Sequence, residues 1–149
     1  MCKSTLDHAL NYARQGVPVL PLHYIQAGGR CSCGADEDKC KPGKHPFGSL
    51  VPHGVKDAST NTETINQWFD GTPYNIGIAT GVVSGLFAVD RDDRDGGDVT
   101  IKAWDKTHGK LPDTLTQRPS DGIHLLFKVP QGVAIKNDQK QTGGGIDIR

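Results

Sequence analysis

The stretch from Leu86 to Asp92 constrains the fold most, because four apolar residues run directly into two acidic ones. This pattern predicts a buried strand with carboxylates at its C-terminal end. Side chains at positions i and i+2 of a strand point to the same face, so Asp90 and Asp92 are expected side by side, with Arg91 pointing away. Two such carboxylates repel each other unless a cation lies between them, and hard oxygen ligands suit Mg²⁺ or Mn²⁺. The alternative is a solvated acidic turn.

The bulk composition indicates one domain in a reducing compartment. The chain has 149 residues, 35% apolar content and a formal net charge of zero, so its overall field makes no case for nucleic acid. No stretch has the pattern of a signal peptide or the roughly 20 apolar residues of a membrane span. We therefore expect a cytoplasmic protein without membrane contact. Its four cysteines should then be reduced, and their spacing is informative about metal binding.

Three cysteines and a histidine follow one another within fifteen residues: Cys31, Cys33, Cys40 and His45. They match a Cys₃His zinc site in a segment with almost no apolar residues, so the metal would supply most of the folding free energy. His45 is the least specific ligand by spacing, and His23 or His53 could replace it. Free surface cysteines are the alternative interpretation.

Periodicity and capping residues predict the remaining elements. The strand that ends in Thr80-Gly81 is expected to form a hairpin-like pair with the central strand, through the turn 82–85. The other elements are a helix from Leu6 to Gln15 capped by Ser4 or Thr5, a strand from Val17 to Leu22, helices Thr62 to Phe69 and Val99 to His108, and strands Leu115 to Arg118 and Ile123 to Phe127.

Two further residues are candidates for the site. Asp147 lies between Ile146 and Ile148, and an acid in so apolar a strand is costly unless it is paired or bound to metal. His124 follows a Ser/Gly turn, where backbone N–H groups can hold an anion, although a lone strand histidine is often structural.

These motifs, taken in order, resemble the primase–polymerase (Prim-Pol) domain of phage, plasmid and bacterial replication proteins, within the archaeo-eukaryotic primase superfamily. The resemblance covers nearly the whole chain. It rests on Ala-x₂-Tyr-x₃-Gly and Pro-x-Leu-Pro in residues 9–22, the Cys/His segment ending at His45, Asn-Ile-Gly-Ile with Thr80-Gly81, Val-Asp-x-Asp at 89–92, Leu-Pro-x-Thr at 111–114, Ser-x-Gly-x-His at 120–124, and Gly-Ile-Asp-Ile-Arg at 145–149.

The resemblance implies a role for each matching position. Asp90, Asp92 and Asp147 match the family's metal-binding acids, which hold Mg²⁺ or Mn²⁺. The residues that match its nucleotide-contacting segments are Thr80, Gly81, Ser120, Gly122 and His124. The resemblance also implies that His124 is a catalytic residue. The Cys/His segment resembles a zinc stem that grips template or initiating nucleotide. The implied partners are a single-stranded DNA template and nucleoside triphosphates, with a helicase domain or protein as a further candidate.

The expected fold is α+β, with a central, mostly antiparallel sheet related to the RNA-recognition motif, flanking helices, and a zinc knuckle inserted at 31–45 into one catalytic domain, 1–149. The expected activity is that of a template-dependent DNA primase/polymerase. Two alternatives are a zinc-dependent nucleic-acid or nucleotide-binding module with weak or no catalysis, and a two-metal phosphoesterase. Asp121 stands where many relatives have Gly, and the family usually continues beyond the position of Arg149, so a C-terminally truncated domain is expected.

Overall fold

The computed structural model describes residues 3–118, 122–138 and 143–149. The chain divides into two compact units, Met1–Ala79 and Thr80–Arg149, which are described separately below. Within the described residues, no helix is both long and apolar enough to cross a membrane.

The first unit packs two helices against a two-stranded antiparallel sheet. Helix α1 begins with a capping box, in which the Ser4 hydroxyl accepts a hydrogen bond from the Asp7 amide and the Asp7 carboxylate accepts one from the Ser4 amide. Asn61 caps α2 with its side-chain oxygen, which accepts a hydrogen bond from the Thr64 amide, at 3.0 Å. The elements are α1 (Thr5–Arg14), β1 (Val19–Leu22), α2 (Thr62–Phe69) and β2 (Asn75–Ile78), with short 3₁₀-helices at Glu37–Lys39 and Gly54–Asp57.

The core of the first unit lies between the helices and β1. It consists of seven buried side chains, and none of them comes from the segment 23–50. That segment, which contains the cysteines, is attached to the end of β1 by a backbone hydrogen bond from Phe47 N–H to the Pro21 carbonyl, at 2.9 Å. The core residues are Ala9, Val19, Leu20, Val51, Ile65, Trp68 and Phe69.

The second unit is a four-stranded, fully antiparallel sheet with one helix. Its strand order is β4-β5-β3-β6, so the strand that carries Asp90 lies inside the sheet, between β5 and β6. The elements are β3 (Leu86–Asp92), a 3₁₀-turn (Asp93–Asp95), α3 (Gly97–His108), β4 (Leu115–Gln117), β5 (Gly122–Lys128) and β6 (Ile146–Ile148).

Close backbone approach fixes the end of β3 where the acids lie. A Cβ on Gly97 would lie 2.7 Å from Arg91 Cγ and 2.6 Å from the Gly145 carbonyl oxygen, so only glycine allows α3 to begin here. Gly145 itself has φ +71°, and its carbonyl oxygen accepts a hydrogen bond from the Asp92 amide, at 2.8 Å. Because Arg91 alternates with Asp90, the first turn of α3 lies on the face opposite the Asp90 carboxylate.

The expected α+β fold with antiparallel strands and helices is confirmed in its coarse form. The described strands form two sheets, however, and the predicted hairpin between the strand at Asn75–Ile78 and the central strand is wrong. β2 pairs with β1, from Val19 opposite Ile78 to Leu22 opposite Asn75. The turn before β3 forms one isolated bridge, between Gly81 and Leu86. The relation to the RNA-recognition motif and the single-domain organisation stay predictions.

Candidate functional site

Strand register lines up the candidate residues of the second unit in one row across the sheet. Asp90 lies directly opposite His124 on β5 and directly opposite Asp147 on β6. Directly opposed residues of antiparallel strands share a face, so these three side chains project from the same side. Gln117 on β4 extends the row, because it is the partner of His124. Asp92 projects from the same side, two residues further along β3.

Histidine and arginine side chains engage the carboxylates of this row. His124 Nε2 lies 3.2 Å from Asp90 Oδ1, and Arg149 Nη2 lies 2.8 Å from Asp147 Oδ2. The same guanidinium reaches toward Asp90, with Nε 4.0 Å from Oδ2. The hydrogen bond from His124 lowers the pKa of the Asp90 carboxyl, aided by the charges of His124 and Arg149 and opposed by burial and by Asp92. The Asp90 carboxyl is therefore ionised at neutral pH, and its negative charge is partly compensated.

Asp92 has its own cation. Arg94 binds its carboxylate with two nitrogens, Nε to Oδ1 at 3.3 Å and Nη2 to Oδ2 at 3.1 Å, and the Arg94 amide also donates to Oδ1 at 3.0 Å. These hydrogen bonds lower the pKa of the Asp92 carboxyl. Gly122 lies opposite Asp92, and a Cβ there would overlap the Arg91 carbonyl oxygen, which gives this glycine a steric role in the sheet.

Other predicted nucleotide contacts lie elsewhere or outside the described residues. Gly81 pairs with Leu86 at the start of β3, so Thr80 and Gly81 are about four residues, or roughly 13 Å along the strand, from the Asp90 row. Ser120 and Asp121 lie outside the described residues. The functional roles of all these residues stay predictions.

The predicted zinc ligands of the first unit converge. Cys31, Cys33, Cys40 and His45 place one ligand atom each within 4.8 Å of all the others. His45 Nε2 lies 3.4 Å from Cys31 Sγ and 3.3 Å from Cys40 Sγ, and the Sγ atoms of Cys33 and Cys40 are 3.4 Å apart. A tetrahedral zinc ion requires S···N separations of about 3.5 Å and S···S separations of about 3.8 Å. The cluster therefore has the donors and the spacing to hold zinc.

Both histidines considered as alternative ligands have other contacts. His23 Nδ1 is hydrogen-bonded to Ser32 Oγ at 2.8 Å, and its ring lies against the His45 ring at a centroid distance of 4.5 Å. His53 Nδ1 pairs with Asp57 at 3.1 Å. His45 is accordingly the histidine of the cluster, and His23 packs beside it and limits its ring orientation.

Without a metal, the pKa values of two cluster thiols shift in opposite directions. Burial opposes ionisation of Cys31, but hydrogen bonds from the backbone amides of Cys33 and Gly43 and from neighbouring side chains lower its pKa to about 6. Burial and the neighbouring sulfurs Cys33 and Cys31 raise the pKa of Cys40 to about 12. Ionisation of one thiol thus disfavours ionisation of a second. A dication bound among the sulfurs would instead favour ionisation of all of them.

In the residues that the structure describes, the Cys₃His cluster is the one group of three or more His, Cys, Asp or Glu side chains with ligand atoms so close together. Asp90, Asp92 and Asp147 share a face but are engaged by arginine and histidine. Sequence reasoning missed this role of Arg94 and Arg149. The available signal was their spacing, since each arginine follows an acid of the site by two residues.

Comparison with known proteins agrees with this arrangement of motifs. The family model described as "Bifunctional DNA primase/polymerase, N-terminal" matches residues 9–149. The chain belongs to the Prim-Pol family. The match to this Prim-Pol domain spans the Cys₃His cluster and the row of Asp90, His124 and Asp147. No curated protein and no solved structure showed a significant similarity to the chain.

Proposed function

We propose that this Prim-Pol domain is a template-dependent nucleotidyltransferase that joins nucleotides as a DNA primase/polymerase. The observation that carries the proposal is the register of β3, which aligns Asp90 with Asp147 on one side and with His124 on the other. The membership of a primase/polymerase family gives this row its chemical meaning.

Asp90, Asp92 and Asp147 fit divalent metal by donor chemistry, since carboxylate oxygens on one face are the ligands that Mg²⁺ and Mn²⁺ prefer. Metal bound there would supply neutralisation of the triphosphate and alignment with the primer 3′-hydroxyl. Phosphoryl transfer needs little else from the protein than positioning and charge. His124, which lies between Asp90 and Gln117 in the row, is proposed to contact the phosphates together with Ser120 and Gly122.

The Cys₃His cluster is proposed to be a zinc knuckle that holds single-stranded template or the initiating nucleotide. Three exposed lysines, Lys39, Lys41 and Lys44, surround it in sequence and provide cations for phosphate contacts. We propose a replication context in a bacterium, phage or plasmid, with a helicase as a further partner.

The test is incorporation of labelled nucleotide on single-stranded DNA with Mn²⁺ or Mg²⁺. Asp90→Asn and Asp147→Asn keep side-chain size but remove the charge, and each should abolish metal-dependent product. Asp98→Asn is the matched control, because Asp98 forms an exposed ion pair with Lys102 on α3, at 2.9 Å. Activity of Asp90→Asn close to that of Asp98→Asn would overturn the metal assignment. Hydrolysis of a plain phosphodiester without any nucleotide would instead identify a phosphoesterase.

A second candidate is a nucleotide- or DNA-binding module without catalysis. It is favoured by one observation, that each of the three acids is already engaged by an arginine or histidine side chain, so the fold does not require metal. Binding of a nucleoside triphosphate that is unchanged by EDTA, in a protein that incorporates nothing, would support this candidate over the polymerase.

A further inference from the structure

Arg149 is fixed in a bridging position over the proposed metal site. Its backbone is held by two hydrogen bonds to Ala88, one in each direction, at 2.8 and 3.0 Å. Because Ala88 is two residues before Asp90 on β3, the Arg149 side chain projects from the face that carries the acids. Its guanidinium binds Asp147 at 2.8 Å and approaches Asp90 at 4.0 Å.

A guanidinium in this place can bind two kinds of anion, a carboxylate or a phosphate. Its planar fork donates equally well to a carboxylate and to a phosphate, and it is charged at any working pH. Divalent metal at Asp90 and Asp147 would compete with Arg149 for the same oxygens and repel it. A metal-bound triphosphate, by contrast, brings several negative charges to within reach of the same side chain.

We infer that Arg149 exchanges partners during nucleotide binding, a role that rests on the proposed function. Without metal, it compensates the charge of Asp90 and Asp147 and keeps their carboxylates apart from adventitious cations. When metal and nucleoside triphosphate bind, the carboxylates turn to the metal and the guanidinium moves to the triphosphate. Arg149 is thus a substrate-binding residue that also sets the metal affinity of the free protein.

Arg94 differs from Arg149 in a way that singles out the latter. Arg94 binds the acid two residues before it through its own backbone amide as well as its side chain, so the contact is local to one turn. Its side chain is 67% exposed, against 43% for Arg149, and it binds Asp92, whereas Arg149 lies between Asp90 and Asp147.

The exchange predicts opposite effects of one substitution on two ligands. Arg149→Gln in the zinc-loaded chain should bind Mn²⁺ alone about tenfold more tightly, because one repelling unit charge has been removed from a partly solvated site. The same variant should bind a non-hydrolysable deoxynucleoside triphosphate, in saturating Mn²⁺, about tenfold more weakly, because a charge-assisted contact is lost. Free Mn²⁺ is measured by electron paramagnetic resonance and nucleotide binding by calorimetry.

Two controls separate exchange from general electrostatics and from misfolding. Lys102→Gln removes one positive charge from an exposed ion pair on α3 and should change neither affinity. Arg149→Lys keeps the charge but not the fork, so Mn²⁺ affinity should stay near wild type while triphosphate affinity falls.

The outcomes are distinguishable. Mn²⁺ binding that is lost in Asp90→Asn but unchanged or weaker in Arg149→Gln would overturn the exchange and leave the proposed metal site standing. Weakening of both ligands in Arg149→Gln and in Arg149→Lys would reduce Arg149 to a structural role and overturn the exchange as well. Absence of Mn²⁺ binding by the wild-type chain would overturn both the exchange and the proposed function.

Discussion

Zinc removal should open the knuckle and leave the rest of its unit intact. Of the buried apolar side chains in the described chain, Cys31 is the one that belongs to residues 23–50. Hydrophobic burial therefore cannot hold this segment together. Besides backbone hydrogen bonds and the stacking of His23 on Phe47, its internal order rests on the four ligands and on hydrogen bonds to their sulfurs, from Gly43 N–H to Cys31 at 3.5 Å and from Ala35 N–H to Cys33 at 3.4 Å. The core of the unit is built from other segments.

The magnitude follows from binding linkage. A ligand present at a thousand times its dissociation constant stabilises the state that binds it by about 4.1 kcal/mol, which is a factor of about a thousand in an opening equilibrium. Chelation should therefore accelerate amide hydrogen exchange at residues 31–45 by up to about a thousandfold. Amides of the β1–β2 ladder, such as Leu20 and its partner Gly77, serve as the internal control and should change little.

The assay is hydrogen exchange followed by mass spectrometry, with zinc content measured on the same samples. Cys33→Ser should reproduce the effect of the chelator, since it removes one sulfur of the cluster. Ser32→Ala is the matched variant, because it removes the contacts of Ser32 with His23 and the Tyr24 amide but no ligand, and it should keep zinc. Metal-replete protein without zinc, or a knuckle whose exchange is indifferent to chelation, would refute this reasoning.

Three other perturbations test the fold. Gly122→Ala should lower the free energy of unfolding by about 3 kcal/mol or more, because the new Cβ would overlap the Arg91 carbonyl inside the sheet, whereas Gly28→Ala, with nothing within 4 Å, should be close to neutral; urea titration compares them. His124 lowers the pKa of Asp90, so the stability it confers is present above the ordinary pKa of 3.8 and is lost as the pH falls through the lower folded value. Thermal melting of wild type below pH 4 should show this loss, and Asp90→Asn should flatten the profile; identical profiles would contradict the pairing. Ser4→Ala should cost about 1 kcal/mol by removing the α1 cap, and an unchanged melting temperature would argue against the capping box.

Local signals predicted the helices well. The α2 helix spans the residues expected from its Asn61 cap and apolar spacing, and α1 begins after Ser4 as its capping box requires. The α3 helix begins two residues earlier than expected, at Gly97, since glycine is a poor helix former and carries no helix signal. The reason it starts there is the close approach of Gly145, which is distant in sequence.

Strand pairing could not be predicted as well. The pairing of β2 with β1 joins segments more than fifty residues apart, while sequence proximity favoured the next strand along the chain. The strand at Asp90 and the acid at Asp147 were visible because each breaks an apolar run. The partners of these carboxylates could not be predicted from the sequence, because the position of Arg149 over Asp90 depends on the register of β6 against β3.

Because β6 pairs with β3, the acidic row is completed only late in the synthesis of the chain. Residues 143–149 are made after the other described strands of this sheet, yet they supply the partners for the backbone of β3 at Ala88 and Asp92. Until they leave the ribosome, β3 is an open sheet edge that any other extended chain could occupy. The acid of β6 and the covering of β3 therefore arrive together, so a nascent chain gains its complete acidic row only when β3 has become an inner strand.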